Sequence, residues 1–553
     1  MADLSLRERC VRLVGELNKA YDDRRPVWED LAHWIAPRRG RFTTDSRELS
    51  GNITSGHIID NTAGLALRTL SSGMMGGITS PARPWFQLGT PDDDLNDWGP
   101  VREWLHQTTE SMRTVFLRSN LYNALPELYG DLGMAATAPM TVLEDERETI
   151  RCYTMPVGSY RLGIDSRRKV DSCARVAMLT CRQIMQRWGD KASAAVRHAV
   201  ERGATEQRVP VWHVIFPNES RDPKALDIGA SGKWTSVYYE EGGDGNAVLG
   251  VSGFNEFPLM APRWDTAGED VYGYGPGDEC LSDVKALQMY HKRKAQAVEL
   301  GINPPLQGPS SLRTARVSLL PGAITYIEGR DAGDGLRPVH QTDLNIRDVQ
   351  ESILEHQERI RRALYEDMFL MLSMSDRRQI TAREVEERHG EKLLMLGPVL
   401  ERLNDELLDP LIDRTFSIML RRGEIPPPPQ ELQGQQLRVE YVSIMAQAQK
   451  LVGLAGSERF LGFVGQVAQF QPQALDKVDF DAAIDEHAAM LGVAPTLIRS
   501  QEAVDQIRQQ RVAQQQQEAQ MAQMQAEASA AKDLGNTPID PQHALGAMLG
   551  AGA

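Results

Sequence analysis

The residues with the best case for chemistry in this sequence are a lysine and two glycines in the run Gly229-Ala-Ser-Gly232-Lys233-Trp234. A nucleotide-binding phosphate loop places four residues between its glycines and a serine or threonine after its lysine, where the hydroxyl holds Mg²⁺. Here two residues separate the glycines, and Trp234 takes the place of the hydroxyl. The spacing therefore favours a plain hairpin turn over a nucleotide site.

Two other runs could be ligand sites. Gly273-Tyr-Gly-Pro-Gly277 lies between an extended segment and a helix, as a dinucleotide-binding loop does, but its spacing differs and no βαβ unit surrounds it. We interpret it as a flexible hinge into the helix. Asp92-Asp93-Asp94 are consecutive and follow Pro91, with no nearby strand end to bring them together as a two-metal nuclease site would require. We interpret them as a solvated acidic loop.

The histidines and cysteines offer no metal-ligand pattern. None of the eleven histidines forms an HExxH pair or a cluster with cysteine at ligand spacing. Five cysteines are an odd number without paired spacing, which is typical of a reducing compartment. We expect no catalytic residue, no cofactor, no metal and no enzymatic activity.

The basic residues of one predicted long helix suggest a different kind of site. Lys285 and Lys292 lie seven residues apart and share a helix face, with His291, Arg293 and Lys294 around them. This face could present cations to a DNA backbone. The alternative is a solvated face on a helix whose apolar stripe packs on a neighbour. That stripe would consist of Leu281, Val284, Ala295 and Val298.

The composition is that of a globular protein with enough apolar side chains for a sizeable core. Of 553 residues, 41% are hydrophobic and 25% are charged. The net charge of −15 argues against tight DNA binding, but not against a passage in which DNA must slide. The sequence begins without the apolar run of a signal peptide and contains no apolar stretch long enough to span a membrane. We expect neither a signal peptide nor a membrane span.

Hydrophobic periodicity predicts helices in the first part of the chain and strands in the next. The predicted helices are Leu4–Ile35, Asp60–Met75 and a pair in Asp97–Met134 that breaks near Asn120, with a short strand at Trp85–Leu88. A β-rich region follows between about Met140 and Arg263. It contains strands at Val209–Phe216 and Trp234–Glu240 and one helix at Cys181–Glu201. The expected fold class is therefore α+β and predominantly α-helical.

Two long helices of similar length are predicted next. Asp278–Leu300 and Leu344–Phe369 would be roughly 35 and 39 Å long at 1.5 Å per residue. Between them, Leu306–Thr342 is punctuated by glycine and proline, with strand candidates at Val317–Leu320 and Ile324–Glu328. A small α/β insertion is therefore expected between the two helices.

The last part of the chain is again mostly helical. A loop is predicted over Leu370–Gln379, and Thr381 with Glu384 forms a capping-box pattern at the start of a helix that Gly397-Pro398 would kink or break. From Ser500 to Lys532 the sequence is rich in Gln, Ala and Met. We expect this segment to be either disordered or one strand of a multi-chain helical barrel.

Several segments together resemble the head-to-tail connecting proteins of short-tailed bacteriophages, the portal family, over about Arg7 to Ile498. The most specific are Ile78-Thr-Ser-Pro-Ala-Arg-Pro-Trp-Phe86, Tyr272-Gly-Tyr-Gly275 through Asp283-Val-Lys-Ala-Leu287 to Asn303-Pro-Pro305, and Thr381-Ala-Arg-Glu-Val-Glu-Glu-Arg-His389 through Leu411-Ile-Asp-Arg-Thr415. None is a catalytic motif. The specificity lies in their order and length.

The resemblance implies a dodecameric ring around an axial channel for double-stranded DNA, located at one vertex of the virion and assembled in the bacterial cytoplasm. Its partners would be the terminase large subunit, tail adaptors, and capsid and scaffold proteins. Its regions would be a wing (1–277, β-rich over about 140–263), two stem helices (278–300 and 343–369) around a clip (301–342), a tunnel loop (370–380), a long kinked wing helix (381–425), a crown (426–499), a possible barrel segment (500–533) and a flexible tail (534–553).

The resemblance also gives candidate DNA contacts. The tunnel loop would place Met371, Met374, Arg377 and Arg378 near the channel, and the stem would carry the basic face of Lys285, Lys292 and Arg293. Physical reasoning supports a ring, because amphipathic helices this long have faces that one subunit cannot bury. The alternatives are a DNA-processing enzyme of the packaging machinery or a non-channel structural or scaffold protein. The missing phosphate loop and the unclustered carboxylates disfavour the enzyme, and the mixed α/β half disfavours the scaffold.

Overall fold

A computed structural model of the chain describes residues 5–42, 56–92, 95–96, 98–225, 228–243, 246–302, 306–307, 337–338, 346–374, 396–432, 437–441, 460–468, 470–471, 473, 477–484 and 501–535. The contacts divide the chain into two compact units. The first comprises Met1–Leu88, Gln107–Pro427 and Val439–Gln466, and the second Gly89–His106, Pro428–Arg438 and Val467–Ala553. Within the described residues, no helix is both long and apolar enough to cross a membrane.

Helix predominates over sheet in the described residues. The α-helices are α1 (Leu6–Trp34), α2 (Thr62–Ile78), α3 (Gly99–Arg118), α4 (Leu121–Ala135), α5 (Cys181–Trp188), α6 (Ala194–Glu201), α7 (Ile228–Ser231), α8 (Pro276–Ile302), α9 (Ile346–Ala363), α10 (Glu366–Met374), α11 (Gly397–Leu403), α12 (Asp409–Arg422) and α13 (Gln501–Gly535). A π-helical segment (Asn404–Leu408) joins α11 to α12, and 3₁₀ turns occupy Gly189–Lys191 and Gln430–Leu432. Residues 460–468 and 480–484 are also helical.

Most of the strands lie between α4 and α8. The strands are β1 (Phe86–Gly89), β2 (Met140–Asp145), β3 (Thr149–Thr154), β4 (Tyr160–Ile164), β5 (Val170–Thr180), β6 (Arg208–Pro217), β7 (Trp234–Glu240), β8 (Gly250–Phe254), β9 (Leu259–Met260), β10 (Leu306–Gln307), β11 (Arg337–Pro338) and β12 (Arg438–Tyr441). A five-stranded antiparallel sheet has the order β4-β5-β6-β7-β8, and a three-stranded sheet the order β3-β2-β9. Strands β10 and β11 pair with each other. The α+β class expected from the sequence is confirmed.

The five-stranded sheet is covered on both faces. Because side chains alternate along a strand, one face of β5, β6 and β7 packs on the start of α1 and the other on α5 and α6. The first core contains Cys10, Val14, Leu17, Ala174, Val214 and Val237. The second contains Ile184, Val196, Ala199, Val211 and Leu249. The β-rich region thus buries its apolar surface within the chain.

An aromatic cluster around Trp28 forms the centre of the first unit. Trp28 is fully buried, and its ring centroid lies 6.0 Å from that of Tyr21, 5.5 Å from Tyr160 and 4.8 Å from Tyr272. Its indole nitrogen donates a hydrogen bond to the Ala135 carbonyl at 3.1 Å. Helix α1, helix α4, strand β4 and the segment before α8 are therefore joined in one core.

The π-helical segment anchors the α11–α12 helix to the β-rich region. Its Glu406 accepts hydrogen bonds from Arg263, from the backbone nitrogen at 2.9 Å and from Nε at 3.1 Å, and the Arg263 side chain is 3% exposed. In α12, buried Arg414 donates through Nε to the Val142 carbonyl at 2.7 Å. Burial lowers the pKa of Arg414 to about 10. Single π-helical turns within α-helices often occur at functional sites.

Capping chemistry explains several boundaries, and glycine explains one difference from the predictions. Ser5 and Glu8 form a capping box at the start of α1, and Thr180 with Gln183 another at α5. The single helix predicted over Cys181–Glu201 is two helices, because Gly189 adopts φ 53°, a left-handed conformation that ends α5. The prediction of one continuous helix there was wrong.

Two further predicted helices also differ. The helix predicted to end at Met75 continues to Ile78 through two glycines. The helix predicted over Leu344–Phe369 starts, in the described residues, at Ile346 and ends at Ala363, since Tyr365 takes φ 55° before α10 begins. The break near Asn120 is confirmed: Asn120 occupies the N-cap position of α4, and its side chain hydrogen-bonds to the Cys152 backbone. The strand candidates Val317–Leu320 and Ile324–Glu328, and the capping pattern at Thr381, lie outside the described residues.

The second unit contains a side-chain hydrogen bond just after β1 and a long exposed helix. Thr90 donates its backbone hydrogen to Asn96 Oδ1 at 2.7 Å. Helix α13 spans 35 residues, about 52 Å at 1.5 Å per residue. Arg508 of α13 donates to both carboxylate oxygens of Asp481, at 2.5 and 2.7 Å. Met521 and Met524 on the same helix are 59% and 63% exposed.

Candidate nucleic-acid interface

The candidate interface lies on α8 and α9, which pack as an antiparallel pair. Asp283 Oδ1 lies 2.8 Å from His356 Nδ1, and further along α8 the Lys294 ammonium contacts the Gln350 side chain. Because residue numbers rise along one helix as they fall along the other, the end of α8 lies beside the start of α9. Both helices contribute buried side chains to the core around Trp28: Val284, Leu287, Ile353 and Ile360.

A partly buried polar cluster around Asp60 holds this pair to the start of α2. Gln357 Nε2 donates to Asp60 Oδ2 at 2.7 Å, and His291 Nε2 lies 3.2 Å from the same oxygen. Gln288 Nε2 donates to the Asp60 carbonyl at 2.7 Å. Burial acts to raise the pKa of Asp60, but hydrogen bonds from Thr62 and Gln357 and the proximity of His291 outweigh it and lower the pKa. The carboxylate therefore stays charged and links three helices.

This cluster was not predicted from the sequence. The sequence predicts Asp60 at the beginning of a helix, and Thr62 N at the start of α2 does donate to Asp60 Oδ1 at 2.8 Å. However, the partners Gln288 and Gln357 lie 228 and 297 residues away in the chain. No local pattern indicates a hydrogen bond over such a separation.

The three basic residues predicted for this helix have different surroundings. Lys285 Nζ lies 2.6 Å from Asp30 Oδ2 of α1, so its charge is already paired. Lys292 and Arg293 are exposed. Neither forms an ion pair within the described part of the chain. The predicted apolar stripe is buried at Val284 but exposed at Val298, which is 38% accessible.

The predicted tunnel-loop residues are described only in part. The backbone of Met371 and Met374 is helical, because α10 continues to Met374. The prediction of a loop was therefore wrong for Leu370–Met374. The physical reason is the packing of Phe369 over Gly73: a Cβ on Gly73 would lie 2.2 Å from the Phe369 ring. This contact holds α10 against α2. The two arginines predicted for the tunnel loop, Arg377 and Arg378, lie outside the described residues.

The two glycine runs considered as ligand sites are structural. The run from Gly229 to Lys233 forms α7 and the turn that leads into β7. The run Gly273–Gly277 was predicted to be a flexible hinge, and this prediction was wrong. A Cβ on Gly273 would lie 2.2 Å from the Ala136 carbonyl oxygen, and one on Gly277 would lie 2.0 Å from that of Met134. These glycines are needed because two backbone segments approach closely.

The candidate catalytic groups do not assemble into a site. All five cysteines are buried and unpaired, and burial raises their pKa values. In the described residues no group of three or more His, Cys, Asp or Glu side chains could hold a metal ion. Asp92 is exposed, and Asp93 and Asp94 lie outside the described residues. What the described surface offers is a pair of long helices with exposed cations and exposed apolar side chains.

Comparison with known proteins decides the family. The family model described as "Bacteriophage head to tail connecting protein" matches residues 7–498. The chain belongs to the bacteriophage head to tail connecting protein family. This confirms the resemblance found in the sequence and makes the protein a phage portal, a structural component of the virion at the junction of head and tail and not an enzyme.

Relatives within this connecting-protein family are similar over their full length. The chain is 46% identical over 547 residues to the portal protein of Salmonella phage epsilon15, covering 99% of this chain and 98% of the relative. It is 40% identical over 546 residues to the probable portal protein of Bordetella phage BPP-1, covering 99% and 98%. Among solved structures, a chain from the neck of an empty GTA particle computed with C6 symmetry shares 10% identity and a TM-score of 0.28, covering 59% of this chain and 70% of the other. This structural likeness is too weak to inform the fold.

Proposed function

We propose that the protein forms a dodecameric ring around an axial channel through which double-stranded DNA is packaged and later ejected. The observation that carries this proposal is the 46% identity to a portal protein over 99% of the chain. A head-tail connector through which a genome passes must surround a hole of fixed width. A closed ring of identical subunits provides such a hole with no free interface.

The exposed side chains of the helical pair support a ring. Ile302 and Leu300 at the end of α8 are 80% and 52% exposed, and Leu354 of α9 is 54% exposed. A single exposed apolar residue needs no explanation, but several on two neighbouring long helices indicate a surface that another chain covers. We infer that neighbouring subunits cover it in the ring.

We assign the regions of the chain by the same proposal. The wing is 1–277, the stem helices are 278–300 and 343–369, and the clip between them is 301–342. A tunnel loop (370–380) and a wing helix (381–425) follow, then the crown (426–499), a possible barrel (500–533) and a tail (534–553). The clip would bind the terminase large subunit during packaging and tail adaptors afterwards. Capsid and scaffold proteins would contact the outer regions during assembly in the host cytoplasm.

Contacts with DNA would be weak and few. Arg377 and Arg378 would touch passing phosphates from the tunnel loop, which would follow Met371 and Met374 at the end of α10. Two kinds of partner fit the exposed stem cations Lys292 and Arg293: DNA phosphates, as the sequence suggested, or acidic side chains of another subunit. The net charge of −15 fits a channel that repels DNA and so lets it slide.

Electron microscopy of the purified protein tests the ring directly. End-on views should show annular particles with twelve-fold symmetry and a central hole. A purified protein that stays a compact monomer at every concentration would contradict the proposal.

A double substitution tests the tunnel loop. Arg377→Ala with Arg378→Ala should leave the rings intact but reduce the retention of DNA in heads, because weak phosphate contacts are lost while no subunit interface changes. The yield of DNA-filled heads in a packaging assay measures the effect. An unchanged yield would contradict the assignment of these arginines.

A further inference from the structure

The neighbouring halves of α8 and α9 carry opposite charges. From Val284 to Ile302, α8 contains four lysines and arginines and one glutamate. From Ile346 to Glu358, α9 contains four acidic residues and one arginine. Because the helices are antiparallel and Lys294 contacts Gln350, these two halves lie side by side. The helical pair therefore presents a basic edge and an acidic edge at the same level.

Two charges on each edge are exposed. Lys292 and Arg293 are exposed on α8, and Asp348 and Glu351 are exposed on α9. At 100° per residue, Arg293 lies on the face opposite buried Val284, while the two acidic residues lie on the face turned away from the core. Within the described ranges, none of the four forms an ion pair.

Other acidic residues of α9 differ in this respect. Glu355 contacts Arg359, and Glu358 accepts a hydrogen bond from Arg362 at 2.8 Å, each one helical turn further on. Asp348 and Glu351 have no such neighbour in the described chain. The uncompensated negative charge of α9 is therefore concentrated at the level of Lys292 and Arg293.

Apolar side chains accompany the charges. Met289 and Leu300, which share the outer face of α8 with Arg293, are 45% and 52% exposed, and Leu354 of α9 is 54% exposed. Contact with a phosphate backbone uses cations and does not need exposed methionine or leucine. Apolar side chains next to charges are typical of a protein interface. The surroundings of Lys292 and Arg293 therefore favour a protein partner over DNA.

We propose that the basic edge of α8 binds the acidic edge of α9 in a second copy of this chain, so that Lys292 and Arg293 pair with Asp348 and Glu351 of the partner subunit. Two different edges in contact make a heterologous interface, and such an interface forms a ring when the rotation between neighbouring subunits closes. Opposite charges at the same level set the register of adjacent subunits. This inference rests on the proposed ring, and it assigns the stem cations to assembly rather than to DNA.

Charge reversal tests the interface in both directions. Lys292→Glu with Arg293→Glu gives a subunit with two acidic edges, and Asp348→Lys with Glu351→Lys gives one with two basic edges. Each variant alone should need at least about tenfold more protein to assemble than the wild type, because like charges would face each other. An equal mixture should assemble again, because every acidic edge can meet a basic one in a ring of alternating subunits. Lys191→Glu with Lys224→Glu, which changes two exposed cations of the β-rich region, is the matched control.

Sedimentation and negative-stain electron microscopy would measure ring formation, and the mixture shows whether the variants are folded. Wild-type rings together with normal assembly of both variants would overturn this interface and leave the proposed function intact. Loss of assembly that mixing does not restore would also overturn it. Normal rings of the Lys292→Glu, Arg293→Glu variant that package less DNA would assign the cations to DNA instead. A wild type that forms no rings would overturn the proposed function itself.

Discussion

The β-rich region between β2 and β9 and the α8–α9 pair differ in how completely they bury their apolar side chains. In β6, the six residues from Val211 to Phe216 are all buried, His213 included. In α8 and α9, by contrast, Leu300, Ile302 and Leu354 are more than half exposed. The sheet has helices on both faces and is complete within one chain. The helical pair has a core on one side only, so its outer side is available to other subunits.

The polar groups of the two regions follow the same division. Arg263 of the first region and Arg414 of α12, which contacts β2 of that region, are buried, and a carboxylate or backbone carbonyls satisfy them. Lys292 and Arg293 are exposed in the second region. Burying a charge costs free energy unless the charge is paired, so we assign the paired buried charges a structural role. The exposed charges mark the surface where function is expected.

The largest effect should come from the aromatic core. Trp28→Ala should destabilise the first unit by about 4 kcal/mol, since a large buried side chain leaves a cavity. Urea unfolding followed by tryptophan fluorescence measures it. Tyr153→Ala, at a residue 43% exposed, is the control and should shift the midpoint much less. Equal shifts for the two variants would show that the core is not centred on Trp28.

A smaller loss is expected at the buried ion pair. Arg263→Ala should cost about 3 kcal/mol, because Glu406 would remain buried without its partner. The matched control is Arg402→Ala, whose side chain is 30% exposed and 3.6 Å from Asp265. The midpoint of urea unfolding again serves as the measure. A variant as stable as the control would mean that water or another group can satisfy Glu406.

Two glycines in helices should respond with opposite signs. Gly277→Ala should destabilise by about 2 kcal/mol, because the new methyl group would overlap the Met134 carbonyl. Gly76→Ala has open space around it and should stabilise by about 0.5–1 kcal/mol through the better helix propensity of alanine. Thermal unfolding of both variants checks the signs. A stabilised Gly277→Ala protein would restore the interpretation of this run as a hinge.

The pH dependence of stability should contain a contribution from Asp131. Burial raises the pKa of Asp131 to about 6, although Arg39 beside it, 2.7 Å away, acts to lower it. The folded state then binds this proton more tightly than the unfolded state, so the contribution of Asp131 to stability falls as the pH rises from about 4 to about 6. Asp131→Asn should remove that part of the slope. An unchanged slope between these pH values would show that Asp131 stays ionised when folded.

The smallest effect on the subunit should come from the outer side of the helical pair. Leu354→Ser should change the stability of the isolated subunit by less than about 0.5 kcal/mol, because this side chain is exposed. Ring formation should nevertheless weaken, since apolar area buried between subunits is lost. Comparing the unfolding midpoint with the assembled fraction separates the two effects. A large loss of subunit stability would remove the contrast between the two regions.

Local pattern was sufficient for most elements of the chain. Trp234–Glu240 was predicted as a strand at its observed bounds, and the break at Asn120 was found from its sequence. Left-handed turns were missed at Gly189 and Tyr365, because a single glycine or tyrosine is compatible with a continuing helix. Tertiary packing selects that conformation. Lys285 is paired with Asp30, whereas Lys292 is exposed. This difference also depends on which helix lies nearby.

By itself, the sequence determined the fold class, the long helices and the family of this portal protein, because hydrophobic periodicity and the order of motifs are properties of the chain alone. Tertiary structure decided which charges are paired, which glycines are compressed between backbones and which helix faces remain open. Those features depend on contacts between residues hundreds of positions apart, as at Asp60 and Gln357. Local sequence patterns do not indicate contacts between residues so far apart in the chain.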